Sequence, residues 1–385
     1  MTRRDTDVVV VGASTAGLVT ALGLARRGLG VVLLDSVPPP RLAWSAIHHW
    51  SVLPILDDLG VLDAALVAGE ATAHWGLRVL STGEQLDFDL RELGPEARHP
   101  FNLRLEPHLL RAPLRRALAA TPGAAVLEGR AVRRMTQTGE EVVLDLSDGT
   151  TLGAAWVVGA DGPASAIRRM AGLAFEGTTW TERAVVAVIE HDFAAAGYPD
   201  TTFQVDGHAG AVVERVGQGT WRYLHQESLA LPEEGAPGRL VDVLDRVTGH
   251  RPPVLDWASS RMHQRCASSY RNGRVVLIGD AAHLTHPLTG HTSLSGWQDA
   301  ASLVQVLAAA LLRDGGDEPV TRWAEVRRRH FLDDAAPTSL GRRNLVAQIR
   351  DRRRLEVELD PFRRASADPE LRRELLRVEY GASGR

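Results

Sequence analysis

Residues 7–35 leave this chain the fewest choices of fold. Val8-Val9-Val10-Val11 is a continuous apolar run, the pattern of a strand covered on both faces. Gly12-Ala13-Ser14-Thr15-Ala16-Gly17 follows as a small-residue turn. Residues 18–27 then read as helix, and Val31-Val32-Leu33-Leu34 as a second strand ending in Asp35. That acid lies roughly twenty residues past the turn, as a dinucleotide-binding fingerprint requires. Gly12 makes the tight turn, and Gly17 lets helix and strand pack closely. The helix start offers N–H groups and partial positive charge to a pyrophosphate. Asp35 can accept hydrogen bonds from a ribose. Ser14 departs from the fingerprint, which has its second glycine there; a small side chain narrows the approach of a phosphate.

Two more corners repeat the plan. A strand over residues 151–158 runs into Gly159-Ala160-Asp161-Gly162, then Ser165 and Arg168. Asp161 there suits either a ligand hydroxyl or the cap of the next helix. The apolar run from Val275 to Ile278 leads into Gly279-Asp280-Ala281-Ala282-His283, then His286-Pro287-Leu288-Thr289-Gly290, Gly296 and Asp299-Ala300. Acid and glycine at the carboxyl end of a buried strand mark where open α/β sheets hold ligands. Gly290, Thr292, Ser293, Ser295 and Gly296 let the backbone approach a ligand closely. Residues 299–312 read as helix, with Leu303, Val304, Leu307 and Leu311 at helical spacing.

Between and beyond these corners the texture varies. Prolines make residues 36–41 a loop, and Trp44, His48, His49 and Trp50 cluster after it. Residues 53–66 read as one amphipathic helix, 75–80 and 85–90 as a hairpin, and 104–120 as an arginine-rich helix. Short β-rich runs with Gly, Pro and Asp turns fill residues 175–266. This reads as a sheet-based unit inserted into the first. After Leu312 the chain is helical, with mixed charges that suit solvated faces.

The 385 residues suit one large or two modest domains, and a net charge of -4 shows no footprint for nucleic acid. Cys266 is the single cysteine, so no intrachain disulfide is possible and a cytoplasmic home is expected. No leader segment and no membrane span is read from the sequence. There is no lysine, which removes Schiff-base chemistry and Walker-type phosphate loops. No metal-ligand spacing stands out.

The three corners, in this order, resemble the single-component FAD-dependent aromatic hydroxylases, whose fold is the p-hydroxybenzoate hydroxylase type. The segment from Leu173 through Gly177 to Arg183 is similar to the same family, and the likeness runs to about residue 340. It implies an α/β (α+β) fold: a Rossmann-like, three-layer FAD-binding domain over 1–70, 101–174 and 267–331. An inserted β-sheet substrate domain would cover 71–100 and 175–266, and C-terminal helices 332–385. It implies FAD as cofactor and NADPH or NADH as transient co-substrate. A flavin hydroperoxide would insert one oxygen atom of dioxygen into an aromatic or polycyclic small molecule, in a monomer or homodimer.

Carried onto this chain, the resemblance implies cofactor contacts at Gly12, Ser14, Thr15, Ala16, Gly17, Asp35, Ser36, Arg41 and Val132. It adds Arg104 or Arg111 on the flavin side chain, then Asp161, Gly162, Gly279 and Asp280. The turn that begins at Pro287 would present the backbone N–H groups of Gly290, His291, Thr292, Ser293 and Leu294 to the pyrimidine edge of the flavin. The family usually has Gly-Gln-Gly-x-Asn where this chain has Gly290-His291-Thr292-Ser293-Leu294.

His48, His49, His225, His286 and His291 are candidates for deprotonating a phenol, because imidazole titrates near neutral pH. Of these, His49, His225 and His291 are the expected catalytic set. Trp221, Tyr223 and His225 share one face of a strand. Trp221 and Tyr223, with Trp50, are expected in the substrate pocket. Two other readings stand beside the monooxygenase: an epoxidase or reductase of an apolar isoprenoid or quinone, and a non-catalytic FAD-binding protein.

Overall fold

A computed structural model describes residues 5–36, 42–313 and 316–380. Arg41 lies outside the described residues. The first sheet orders its strands Arg271–Asn272, Val275–Leu277, Thr151–Gly159, Thr6–Val11, Val31–Asp35, Ala124–Glu128. All pairings except the first are parallel. Val142–Leu146 and Val132–Gln137 extend it from Thr151–Gly159 as an antiparallel meander. Val8, Val9, Val10, Val157 and Val158 are wholly buried, as strands covered on both faces must be. The helix Thr15–Ala25 lies against the long helix His291–Leu312, and a Cβ on Gly23 would come within 2.9 Å of Val304.

Register brings the three corners together. Val11 pairs with Gly159, and Gly159 with Leu277, so three neighbouring parallel strands end side by side. Adjacent strands stand about 4.8 Å apart. Gly12, Asp161 and Asp280 are therefore within the span of one extended molecule.

The second sheet orders its strands His283–Leu284, Val254–Ala267, Phe175–Glu190, Thr220–Ser228, Ala211–Gly217, Thr201–Val205, His74–Val79, Gln85–Asp89. The helix Ala236–Thr248 covers one face. There Trp221, Tyr223, Val185 and Ala187 form a cluster with Leu240 and Leu244. The opposite face, with Val186, Phe203, Val212, Leu224 and Met262, joins the core of the first unit. Strand residues alternate faces, so these two sets exclude each other.

Three sequence expectations change. Residues 53–66 are not one helix but Leu53–Asp58 and Leu62–Ala68, broken at Gly60, whose φ is +53°. The 104–120 helix begins at Pro107, a residue suited to a first turn, and Arg104 belongs to the strand Asn102–Arg104. The helix read over residues 299–312 starts at His291, well before Asp299. The C-terminal arginines are less solvated than their spacing suggests. Arg363 donates to Glu84 at 2.6 and 2.7 Å and Arg372 to Glu92 at 2.9 Å, pinning the final helices to the 74–96 region. Among the described residues, no helix is long and apolar enough to cross a membrane.

Candidate active site

Between the two sheets lies a cleft with a cavity volume of about 460 Å³. Its floor is made by the three corners. Ser14, Thr15, Ala16, Ala160, Gly162, Gly279, Asp280 and Gly296 all line it. The glycines are there for space. A Cβ on Gly12 would stand 2.4 Å from the Ala160 carbonyl oxygen, and one on Gly17 would stand 2.1 Å from that of Gly12. Gly12 also has φ +106°.

Ser14 acts as a cap. Its Oγ accepts the Gly17 N–H at 3.1 Å, and Leu18 N–H makes the first intrahelical bond, to the Ser14 carbonyl at 2.9 Å. Thr15 and Ala16 precede that bond, so their N–H groups face the cleft end of the helix dipole. The helix His291–Leu312 repeats this. Gly290, φ +72°, supplies no side-chain cap, and Leu294 N–H makes the first intrahelical bond at 3.2 Å. Thr292 and Ser293 line the cleft ahead of it. Leu294 is thus removed from the expected donor set, because the helix consumes its N–H.

Asp280 is accessible from the cleft. Crowding by the protein raises its carboxyl above the usual range, against the pull of His283. Behind it, Asp299 is wholly buried. It accepts from Gly279 N–H at 3.1 Å, His283 Nε2 at 2.7 Å and Arg327 Nε at 2.8 Å. Burial works to raise its carboxyl, but His283 and Arg327 outweigh that and hold it at about 2.

The other expected cofactor residues sort themselves. Asp35 is bound by Arg111 at 2.7 Å and Arg115 at 2.6 Å. Arg111 lines the cleft. Arg104 does not: it is buried and pairs with Glu70, 3.7 Å from Asp200 at its other nitrogen, because it sits on a strand rather than at the helix start. Asp161 takes the capping role, accepting from Ser165 Oγ and from the N–H groups of Ala166 (2.7 Å) and Ile167 (3.1 Å). Gly12, Gly17, Asp35, Ser36 and Val132 stand outside the cleft lining, while Pro287 and Gly290 are in it.

The expected catalytic set is redistributed. His225 shares the helix-covered face with Tyr223, their rings 6.0 Å apart, so neither it nor Trp221 and Tyr223 lines the cleft. Trp50 opens a short 3-10 turn and packs into the core instead; Trp44 is the tryptophan on the cleft. His49 sits behind the Pro287–Gly290 turn, where a Cβ on Gly290 would meet its Nε2 at 3.0 Å. His291 is buried at the helix start and lines no part of the cleft.

The buried histidines on the cleft are His48 and His286. His48 Nε2 lies 3.0 Å from the Leu105 carbonyl and must donate to it, so Nδ1 carries the lone pair, and no partner meets it. Burial lowers this imidazole to about 4. His286 is reversed: its Nδ1 accepts Leu288 N–H at 3.3 Å, so a neutral ring carries its proton on Nε2. Burial, helped by Arg343, lowers it to about 3. Nothing in the residue order ranks these two above His49 or His225; ring orientation does. Apolar walls from Ile47, Ala184, Met262, Leu284 and Pro287 complete the cleft. Among the described residues no group of side chains could hold a metal ion.

A cleft of this shape, floored by three glycine corners under a β-sheet, suits an extended dinucleotide. The family described as FAD binding domain matches residues 5–333, and the chain belongs to it. Over 382 residues it is 35% identical to the 6-hydroxy-3-succinoylpyridine 3-monooxygenase HspB of Pseudomonas putida (strain DSM 28022 / S16), spanning 94% of this chain and 97% of that one. It is 28% identical to the para-nitrophenol 4-monooxygenase of Pseudomonas sp. (strain WBC-3), over 96% and 94% of the two chains. The crystal structure of p-nitrophenol 4-monooxygenase PnpA from Pseudomonas putida DLL-E4 superposes with TM-score 0.91 at 28% identity, covering both chains completely. The protein is an FAD-dependent aromatic monooxygenase of the p-hydroxybenzoate hydroxylase fold, with NAD(P)H as co-substrate. The glycines that admit no Cβ and the two helix starts opening on one cleft fit a dinucleotide with a planar head.

Proposed function

We propose that this enzyme oxygenates a hydroxylated aromatic ring at the carbon para to its hydroxyl, where a substituent already stands. One observation carries this. The names of two full-length relatives put the oxygen at such a carbon: position 3 of a 6-hydroxy-3-acylpyridine, and position 4 of para-nitrophenol. FAD, when bound, supplies the redox chemistry that couples NAD(P)H and dioxygen to the ring.

The chain's own residues would do the rest. Thr15 and Ala16 N–H groups take the pyrophosphate, and Asp35, Ser36 and Gly12 take the adenosine end with Val132 nearby. Arg111, Gly162 and Asp280 hold the flavin side chain. Thr292 and Ser293, with the Pro287–Gly290 turn, face the ring's pyrimidine edge. Residues 71–100 and 175–266 form the substrate wall, whose apolar side chains keep water from the reacting centre. His48 Nδ1 accepts the substrate's hydroxyl proton in a hydrogen bond and fixes the ring's orientation. His286 cannot be the base, since its Nε2 already bears a proton. The single cysteine supports a cytoplasmic enzyme, working as monomer or homodimer.

The test is turnover of FAD-loaded protein with NADH or NADPH and para-substituted phenols or 6-hydroxypyridines under labelled dioxygen. Label at the para carbon, with the substituent released, is expected; label ortho to the hydroxyl would overturn the regiochemistry. His48→Ala should lower kcat/KM by about tenfold or more, the scale of one lost hydrogen bond to a reacting group.

A further inference from the structure

The helices Glu318–His330 and Ala336–Ala347 form one continuous rod, with a π-turn, Phe331–Ala335, between them. There the Ala336 N–H reaches back five residues, to the Phe331 carbonyl. The cause is local. Pro337 has no N–H for the Asp333 carbonyl, and in a regular helix its ring would press on that oxygen, so the turn before it widens. No residue of this rod lines the cleft, yet it is bonded behind two of the corners that do. Near one end, Arg327 Nε donates to Asp299 at 2.8 Å, and Asp299 in turn accepts the Gly279 N–H at 3.1 Å. Further along, Ser339 Oγ lies 2.8 Å from Thr289 Oγ1, whose own proton goes to the His286 carbonyl at 2.8 Å. Ser339 is therefore the donor of that pair. Between the two contacts Phe331 stacks on His283, ring centroids 4.7 Å apart.

Ser339 stands twelve residues after Arg327. At about 100° per residue, a regular helix would leave the two about 120° apart around its axis. The π-turn takes up one residue without advancing the rotation, and the separation falls to about 20°. Phe331, Ala335 and Ser339 accordingly share the buried side, with Leu332, Asp333 and Asp334 exposed. We propose that this π-turn is a register device: it sets Arg327 and Ser339 on one face, so that a single helix outside the cleft positions both flavin-facing corners. Ser339 is then a positioning residue that acts on the flavin through Thr289 and the Pro287–Gly290 turn. This rests on the placement of the ring's pyrimidine edge at that turn, proposed above.

Two experiments on the FAD-loaded protein test it. Deleting Asp333 together with Pro337→Ala makes the segment regular helix with the two residues still on one face, so FAD affinity should stay within about twofold of the wild type. Inserting one alanine after Asp333 rotates Ser339 by about 100° and should weaken FAD binding by about tenfold or more. A loss as large in the deletion as in the insertion overturns the register device. The second experiment measures the ratio of reduced to oxidised flavin at a fixed potential, which a merely structural role would not move. Amides held at the ring edge favour the anionic reduced flavin. Ser339→Ala should lower the ratio about threefold and Thr289→Val at least as much, with the double variant no lower than Thr289→Val alone. Effects that multiply, or a ratio moved by Thr289→Val and untouched by Ser339→Ala, overturn the role of Ser339 alone. A ratio untouched by every variant removes the ring edge from this turn, and the placement above falls with the proposal.

Discussion

The two sheets of this enzyme impose different constraints on their sequences. In the first, function sits in the backbone: three strand ends, their glycines and two helix starts. In the second, the cleft is lined by side chains from one of two buried faces. Backbone turns leave little freedom, since a Cβ at Gly12 has no place to go. A half-buried strand specifies alternation but not which set faces the ligand. Both faces of Thr220–Ser228 are buried here: Trp221 and Tyr223 lie under a helix, while Arg222 and Leu224 point the other way.

The sharpest test of that contrast is Gly12→Val. It forces a side chain onto the Ala160 carbonyl at a positive φ, and FAD affinity should fall by about 100-fold or more. Flavin retained per chain, read by absorbance, decides it; full retention would break the backbone half of the comparison.

Acid should be nearly as damaging. His48, His49, His225, His286 and His291 are lowered to between about 3 and about 4 from an ordinary 6.5. The unfolded chain takes up these protons first. Stability is therefore full above pH 6.5 and is lost as pH falls toward 4, with a slope of about 1.4 kcal/mol per pH unit for each histidine. Asp299 adds the same sign lower down: its contribution is present above about pH 4 and is lost as pH falls toward 2. Urea midpoints between pH 8 and 5 measure the histidine part, and a flat profile would contradict the burial of these rings. Asp299→Ala should cost about 3–5 kcal/mol at neutral pH, since it leaves Arg327 and the Gly279 amide without their buried acceptor. Urea unfolding of that variant at pH 7 measures it, and a loss under about 1 kcal/mol would show that the carboxylate does not hold the corner.

Within the second sheet, Trp221→Ala should lose about 3–5 kcal/mol of stability while leaving the substrate KM unchanged. Met262→Ala, on the cleft, should raise KM several-fold. If KM follows Trp221 and ignores Met262, the face assignment is inverted. The smallest effect is expected at His225: His225→Asn should keep kcat within about twofold, because its ring lies on the helix-covered face.

Much of the first sheet is legible in the residue order. Gly12, Asp35, Gly159, Asp161, Gly279 and Asp280 each follow a buried strand at a spacing that admits few alternatives. Even there the roles shift. Asp161 caps its own helix, and Leu294 gives its N–H to Gly290, since these bonds depend on where a helix begins. Arg104 and Arg111 look equivalent in sequence and part company once Pro107 sets the helix start.

By itself the sequence determined that a dinucleotide is held at these strand ends, because phosphate-binding turns are local: strand, glycine and helix lie within a dozen residues and their geometry is short-range. It also showed a second, sheet-based unit in residues 175–266. Tertiary structure alone decided which tryptophan and which histidine line the cleft. That choice depends on the helix Ala236–Thr248 covering one face of the second sheet, and on whether a ring nitrogen happens to meet Leu105 O or Leu288 N–H. Those contacts join residues far apart in the chain, and no local pattern encodes them.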